Sequence, residues 1–346
     1  MGTPSSTPSS TILVTGAAGF IGAHLARRLL DSGHRVVGVD SFTPYYDVAL
    51  KRHRWAALEA HPGFIGAQLD IVDGDLAALF AAHGPACVVH LAGQAGVRHS
   101  LEAPRAYLRA NLLGTWEVAE ACAAHGVEHL VFSSTSSAYG ARGGGPQEGE
   151  PFRETDPAAY PVSVYAATKL GAESLLHAQS HLSGLPTTAL RFFTVYGPEG
   201  RPDMAPHIFT AATLRGEALP VFGHGDMARD FTFIDDLVEA VVRLLDVPPV
   251  RGAPVSTRDS LSPAAPFRTV NIGGNAPVAL DAFIKAIERA TGQAAVRDLQ
   301  PMPPGDVRRT HADPALLRDL VGFVPATPIQ EGIERYVAWF RSYYGV

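Results

Sequence analysis

Residues 11–30 read TILVTGAAGFIGAHLARRLL. A continuous apolar run ends at Thr15, three glycines follow at Gly16, Gly19 and Gly22, and the apolar residues beyond them recur at spacings of three and four. The first pattern suits a strand covered on both faces, and the last suits a helix with one buried side. Glycines between a strand and a helix let the turn close and let a pyrophosphate approach the backbone at the helix N-terminus. A second run, RVVGVD, ends in Asp40, at the distance where an acid accepts ribose hydroxyls about twenty residues on. A carboxylate there repels a 2′-phosphate, so the expected cofactor is NAD rather than NADP.

The same alternation continues outward. CVVHLAG (87–93) and HLVFSST (129–135) are further buried-strand runs, and AHLARRLLDSGH, GDLAALFAAHG and NLLGTWEVAEACAAHG between the runs have helical spacing and glycine stops. Strand and helix in repeated alternation predict an α/β fold with a doubly wound parallel (Rossmann) sheet. LDIVD (69–73) puts Asp70 and Ile71 at a strand end, by the expected adenine edge. After Phe193 the pattern loosens into Pro- and Gly-rich loops, with two more helices expected over 278–291 and 328–342. The division expected is a flexible tail (1–10) and a Rossmann domain (11–192, with 230–247 and 268–275 returning to it). A smaller, interleaved α/β substrate domain (193–229 and 276–346) and an exposed insertion (248–267) complete it.

Composition removes several classes. A net charge of −6 argues against a nucleic-acid-binding surface. No run reaches the ~18 apolar residues that span a bilayer, and MGTPSSTPSS lacks the basic and apolar design of a secretory signal. Cys87 and Cys122 have no metal-ligand spacing and read as buried thiols in a reducing compartment, so the expected location is cytoplasmic. The His residues form no HExxH-type cluster, and no metal site is signalled.

SVYAATKLGAESLL (163–176) places Tyr165 and Lys169 four residues apart, on one face of an amphipathic helix. A phenol is a poor base, with an ordinary pKa of about 10, and a neighbouring positive charge lowers that value. The pair therefore reads as a general base tuned toward neutral pH, against the plainer alternative of a surface Tyr and Lys with no shared task.

The glycine turn, HLAGQAGVR, SSTSSAYG, YAATK, RFFTVYGPEGRPDMAP and RDFTFIDD occur here in one order. Together they resemble the nucleotide-sugar epimerases of the extended short-chain dehydrogenase/reductase family, from about residue 11 to the C-terminus. DSFTPYYDVALKR, AGQAGVRHS, PFRTVNIGG and PGDVRRTHAD are similar to the UDP-glucuronate 4-epimerase subgroup, although Arg308 stands where proline is usual. The resemblance implies that Tyr165 is the acid/base, that Lys169 holds the nicotinamide ribose and lowers the phenol's pKa, and that hydride moves to and from NAD. It implies a third member at the serine-rich strand end. Counted back from Gly140, Thr135 falls on that position with Ser136 and Ser137 beside it, and these hydroxyls are also expected to touch the sugar. The NAD contacts it implies are Gly16, Gly19, Phe20, Ile21, Asp40, Asp70, Ile71, Leu91, Asn111 and Lys169. It further implies a homodimer, paired through the helices around 104–125 and 163–183.

A 4-keto sugar made from a glucuronate is a β-keto acid and loses CO2 when its carboxyl bond aligns with the carbonyl π system. Arg201 in PEGRPD can clamp that carboxylate in a planar fork, and Thr194 in RFFTV offers a short donor. Arg201 is equally readable as a loop arginine. Val221 and Phe222 resemble the family's uracil wall, Arg229 resembles its diphosphate contact, and Arg98 either meets substrate or fixes its own loop. A UDP-glucuronate decarboxylase, a 4-epimerase of uncharged UDP-sugars and a non-catalytic NAD-binding regulator stay open as alternatives.

Overall fold

The computed structural model describes residues 10–141, 150–274, 276–301 and 308–346. Most of the expected tail and the first residues of PGDVRRTHAD lie outside the described residues. The strands are β1 (Thr11–Thr15), β2 (Arg35–Asp40), β3 (Phe64–Gln68), β4 (Cys87–His90), β5 (His129–Thr135) and β6 (Thr187–Phe192). Then come β7 (Thr194–Tyr196), β8 (Ala218–Phe222), β9 (Ala228–Phe233), β10 (Phe267–Ile272), β11 (Pro277–Ala279) and β12 (Val296–Gln300). Seven of them form one sheet in the order β3-β2-β1-β4-β5-β6-β10, and every pairing in it is parallel. The chain winds outward from β1 to β3, then restarts at β4 on β1's other side. The crevice above the carboxyl ends of β1 and β4 is thus the topological switch point, where ligands of open α/β sheets bind.

Both faces of this sheet are buried, which is why its strands read as continuous apolar runs. Successive residues point to opposite faces. Ile12, Val14, Val36, Val89 and Val131 enter one core with helices 20–31 and 234–245, while Leu13, Val37, Val88, Leu130 and Phe132 enter another with helices 114–124 and 164–183. Each such side chain contributes about 1.5–3 kcal/mol on burial. Beyond Phe192, β7, β9 and β11 form a small sheet, β8 pairs with β12, and helices 280–291 and 329–344 pack on one another.

The 248–267 segment, read as an exposed insertion, is mixed in its burial. Residues 250–255 are exposed, but the Asp259 side chain is fully buried against Arg268, whose Nε and Nη2 donate to it at 2.8 and 2.9 Å. Its Pro-, Ser- and Gly-rich composition hid one buried ion pair. Among the described residues no helix is long and apolar enough to cross a membrane.

Candidate active site

The glycine turn is held by backbone. Gly16 and Ala17 donate to the Val39 carbonyl at 2.7 and 3.1 Å, tying the turn to β2. Gly16 has φ +73°, and a Cβ there would lie 2.8 Å from the Ala92 nitrogen; one on Gly22 would lie 2.1 Å from the Gly16 oxygen. Helix 20–31 therefore starts tight against the turn. No side chain among the described residues caps that start, and its first turn holds no acid. Its free N–H groups and positive dipole end face the crevice, as a pyrophosphate requires. Asp40 accepts from the Ala18 and Phe42 amides at 3.0 and 2.8 Å, which fixes its carboxylate beside the turn. Asp70 accepts from the Val72 amide and from Arg109. This cradle, with a ribose-binding acid and no anion at the helix start, fits an NAD molecule.

A cavity of about 420 Å³ runs from this cradle. Gly16, Gly19, Phe20, Ile21, Asp40, Asp70, Ile71, Leu91, Thr135, Tyr165, Lys169 and Arg201 all line it. Tyr165 stands in the first turn of helix 164–183, whose N-cap Ser163 accepts from the Ala166 amide at 3.1 Å. Burial raises its phenol pKa, and the Thr135 hydrogen bond and the Arg201 charge pull the other way. The sequence reading placed that pull on Lys169. Lys169 is instead pushed down to about 7 by burial, against the raising influence of Glu173, and its ammonium lies 4.5 Å from the Phe132 ring centre. Glu173 is itself fixed, accepting from Arg191 Nε and Nη2 at 3.0 and 2.7 Å and from the Ser134 hydroxyl.

Other expected site residues lie off the cavity wall. Asn111 is fully buried in a π-helical stretch (108–113); it accepts from the Gln94 amide at 2.8 Å and donates to the Gln94 carbonyl at 3.0 Å. It shapes the 93–94 loop. Ser136 and Ser137 form a short 3-10 turn, and the Ser137 amide donates to Thr135 Oγ1 at 3.1 Å. Thr194 pairs with Phe231 in the small sheet. Val221 is buried in the core, while the Arg98 guanidinium sits 4.6 Å from the Phe222 ring centre. Arg229 donates to the carbonyls of Ala228 and Arg308, both at 3.0 Å.

Sequence reasoning missed His90. Thr15 Oγ1 accepts from the Leu91 and Ala92 amides, both at 3.1 Å, so its own proton goes to His90 Nδ1 at 2.7 Å. His90 Nε2 then carries the ring proton and donates to Thr115 Oγ1 at 3.0 Å. Burial drives the ring's pKa down to about 3, with Lys169 adding to the effect, so it stays neutral. The HLAG pattern displayed this histidine without its partners. Lys51, Tyr45 and Met204, which line the cavity where His90 does not, were missed as well.

A glycine turn at the switch point of a doubly wound sheet, with a Tyr–Lys pair and a strand-end threonine around one cavity, defines a dinucleotide-dependent enzyme of the short-chain dehydrogenase/reductase type. The chain belongs to the NAD dependent epimerase/dehydratase family, which it matches over residues 12–254. A probable UDP-glucuronate 4-epimerase of Rhizobium meliloti (strain 1021) is 49% identical over 338 residues, covering 96% of this chain and 97% of the relative. UDP-glucuronate 4-epimerase 1 of Arabidopsis thaliana is 40% identical over 346 residues, covering 97% of this chain and 77% of the relative. Among solved structures, the UDP-glucuronic acid 4-epimerase from Bacillus cereus in complex with UDP-glucuronic acid and NAD superimposes with a TM-score of 0.83. It is 32% identical, covering 96% of this chain and 100% of the other.

Proposed function

We propose that this protein converts UDP-glucuronate to UDP-galacturonate by NAD-dependent 4-epimerisation. The carrying observation is that Tyr165, Lys169, Thr135 and Arg201 line the same cavity as the dinucleotide cradle. NAD bound in that cradle supplies the hydride acceptor and donor. Tyr165 takes the 4-hydroxyl proton and returns it after the 4-keto sugar has turned its other face. Thr135 hydrogen-bonds the phenol, and Lys169 lies on the same helix face to orient the nicotinamide ribose. Arg201 holds the substrate carboxylate out of line with the C4 carbonyl π system, and Thr194, Ser136 and Ser137 are the further sugar contacts. Arg98 with Phe222 and Val221 forms the nucleotide end, and Arg229 meets the diphosphate. Product analysis on UDP-glucuronate tests the reading: UDP-galacturonate supports it, and UDP-pentose as the main product replaces it with a decarboxylase.

The division stated above, with residues 11–192, 230–247 and 268–275 as the dinucleotide domain and 193–229 and 276–346 as the sugar domain, belongs to the same proposal. So do a cytoplasmic location and a homodimer. Leu108, Leu113 and Leu182, on the helices expected to pair, are exposed, Leu182 by 77%. A monomer mass by light scattering at micromolar protein overturns the dimer.

A further inference from the structure

Arg201 reaches the cavity already engaged. Its Nε and Nη2 donate to the two oxygens of Asp203 at 3.0 and 2.5 Å, a planar fork on a planar carboxylate. Asp203 Oδ2 also accepts the Tyr45 hydroxyl at 2.9 Å, and the Tyr45 ring centre lies 5.7 Å from the guanidinium. Arg201 and Tyr45 line the cavity, whereas Asp203 does not. The Arg201 and Asp203 side chains are 21% and 31% exposed, so the pair is partly desolvated. Tyr45 follows β2 and residues 201–203 follow β7, so Asp203 joins two walls of the cleft.

We infer that Asp203, braced by Tyr45, is a positioning residue that aims Arg201 at the substrate carboxylate and so sets the preference for an acidic sugar. The inference rests on the UDP-glucuronate reading. A guanidinium has five N–H donors in one plane. With Nε–H and one Nη2–H on Asp203, the plane and the direction of the remaining three are fixed before a ligand arrives. Pre-ordering lowers the entropy lost on binding. The Asp203 charge also offsets that of Arg201, so a ligand carboxylate is selected by where the free donors point rather than by net attraction. Burial opposes ionisation of Asp203, but the Arg201 hydrogen bonds and charge outweigh it and hold its carboxyl below the usual range.

The test measures affinity for UDP-glucuronate and for UDP-glucose, together with products, on NAD-loaded wild type, Asp203→Ala, Asp203→Asn and Tyr45→Phe. Asp203→Ala is expected to weaken UDP-glucuronate binding roughly tenfold, the scale of one charged hydrogen bond, with UDP-glucose binding unchanged. CO2 release should rise as the released carboxylate rotates into line. Asp203→Asn, which keeps one acceptor for the guanidinium, should fall between Ala and wild type, and Tyr45→Phe should act in the same direction more weakly. Equal loss for both sugars, or no loss for either, in variants that retain bound NAD overturns the inference while the functional reading stands. Wild type that binds but does not epimerise UDP-glucuronate overturns both, and it is seen before any variant is made.

Discussion

The two ends of the cavity are made differently. At the dinucleotide end the ligand meets main chain: a glycine turn bonded to Val39, an uncapped helix start, and an aspartate locked by two amides. At the other end the wall is side chain, with Arg201 partly exposed and held from behind by Asp203. A backbone cradle tolerates little change. A side-chain end can be retuned one residue at a time, which makes it the place where a preference among sugars can be set. Tyr165 stands where the two meet.

The largest effect should come at that meeting point. Tyr165→Phe keeps the ring and deletes the base, and turnover should fall by roughly 10²–10⁴-fold, while dinucleotide released by heating the purified protein stays at the wild-type amount. Loss of the dinucleotide as well would merge the two ends into one unit. Next, Gly16→Ala places a Cβ 2.8 Å from the Ala92 nitrogen at a φ of +73°. Strain of that kind costs about 1–3 kcal/mol, so the purified variant should carry markedly less dinucleotide, read by absorbance after denaturation. An alanine variant with full dinucleotide would show that the cradle is not rigid.

Arg201→Ala probes the opposite end. Loss of a charged hydrogen bond, ~1.5–3 kcal/mol, should appear in titrations with UDP-glucuronate and not with UDP-glucose, and carbon dioxide should appear among the products. Slower epimerisation without CO2 would move carboxylate binding toward Thr194 and Ser136. The smallest effect concerns Lys169. Its pKa in the folded, ligand-free protein is about 7, below the ordinary lysine value of about 10.4. Between those values the unfolded chain binds a proton that the folded protein has lost, so this group makes stability climb as pH rises. Lys169→Met should flatten that climb. Thermal melts of the ligand-free proteins at pH 7 and pH 9 compare the slopes, and an unchanged slope would mean the ammonium is better solvated than its burial implies.

What could be read in the sequence follows the same division. The β1 turn and Asp40 were legible because backbone geometry demands glycine and an acid at set distances. The buried strands showed as apolar runs, but β3, an edge strand whose residues are half-buried or exposed, gave no such run. Tyr165 and Lys169 were legible through helical spacing. The influences that tune them were not, because Thr135 and Arg201 come from other elements and meet Tyr165 only in the fold. Asp203 lies two residues from Arg201, yet its pairing was invisible without Tyr45, 158 positions away in the chain. Asn111 entered only through the resemblance, as an NAD contact, while its bonds to Gln94 needed coordinates.

Part of the 248–267 segment is tied to the helix that carries Tyr165. His177 bonds Ser262 at 2.7 Å and His181 Nδ1 donates to the Ala264 carbonyl at 2.8 Å, so its second half is fastened along the helix whose first turn holds Tyr165. A helix rises about 1.5 Å per residue and transmits a shift along its axis nearly whole. A change of length among the exposed residues 250–254 leaves these bonds in place, whereas one from Asp259 onward would pull on the helix that carries Tyr165. One segment thus holds, side by side, an exposed stretch and a stretch fastened to the helix that carries Tyr165.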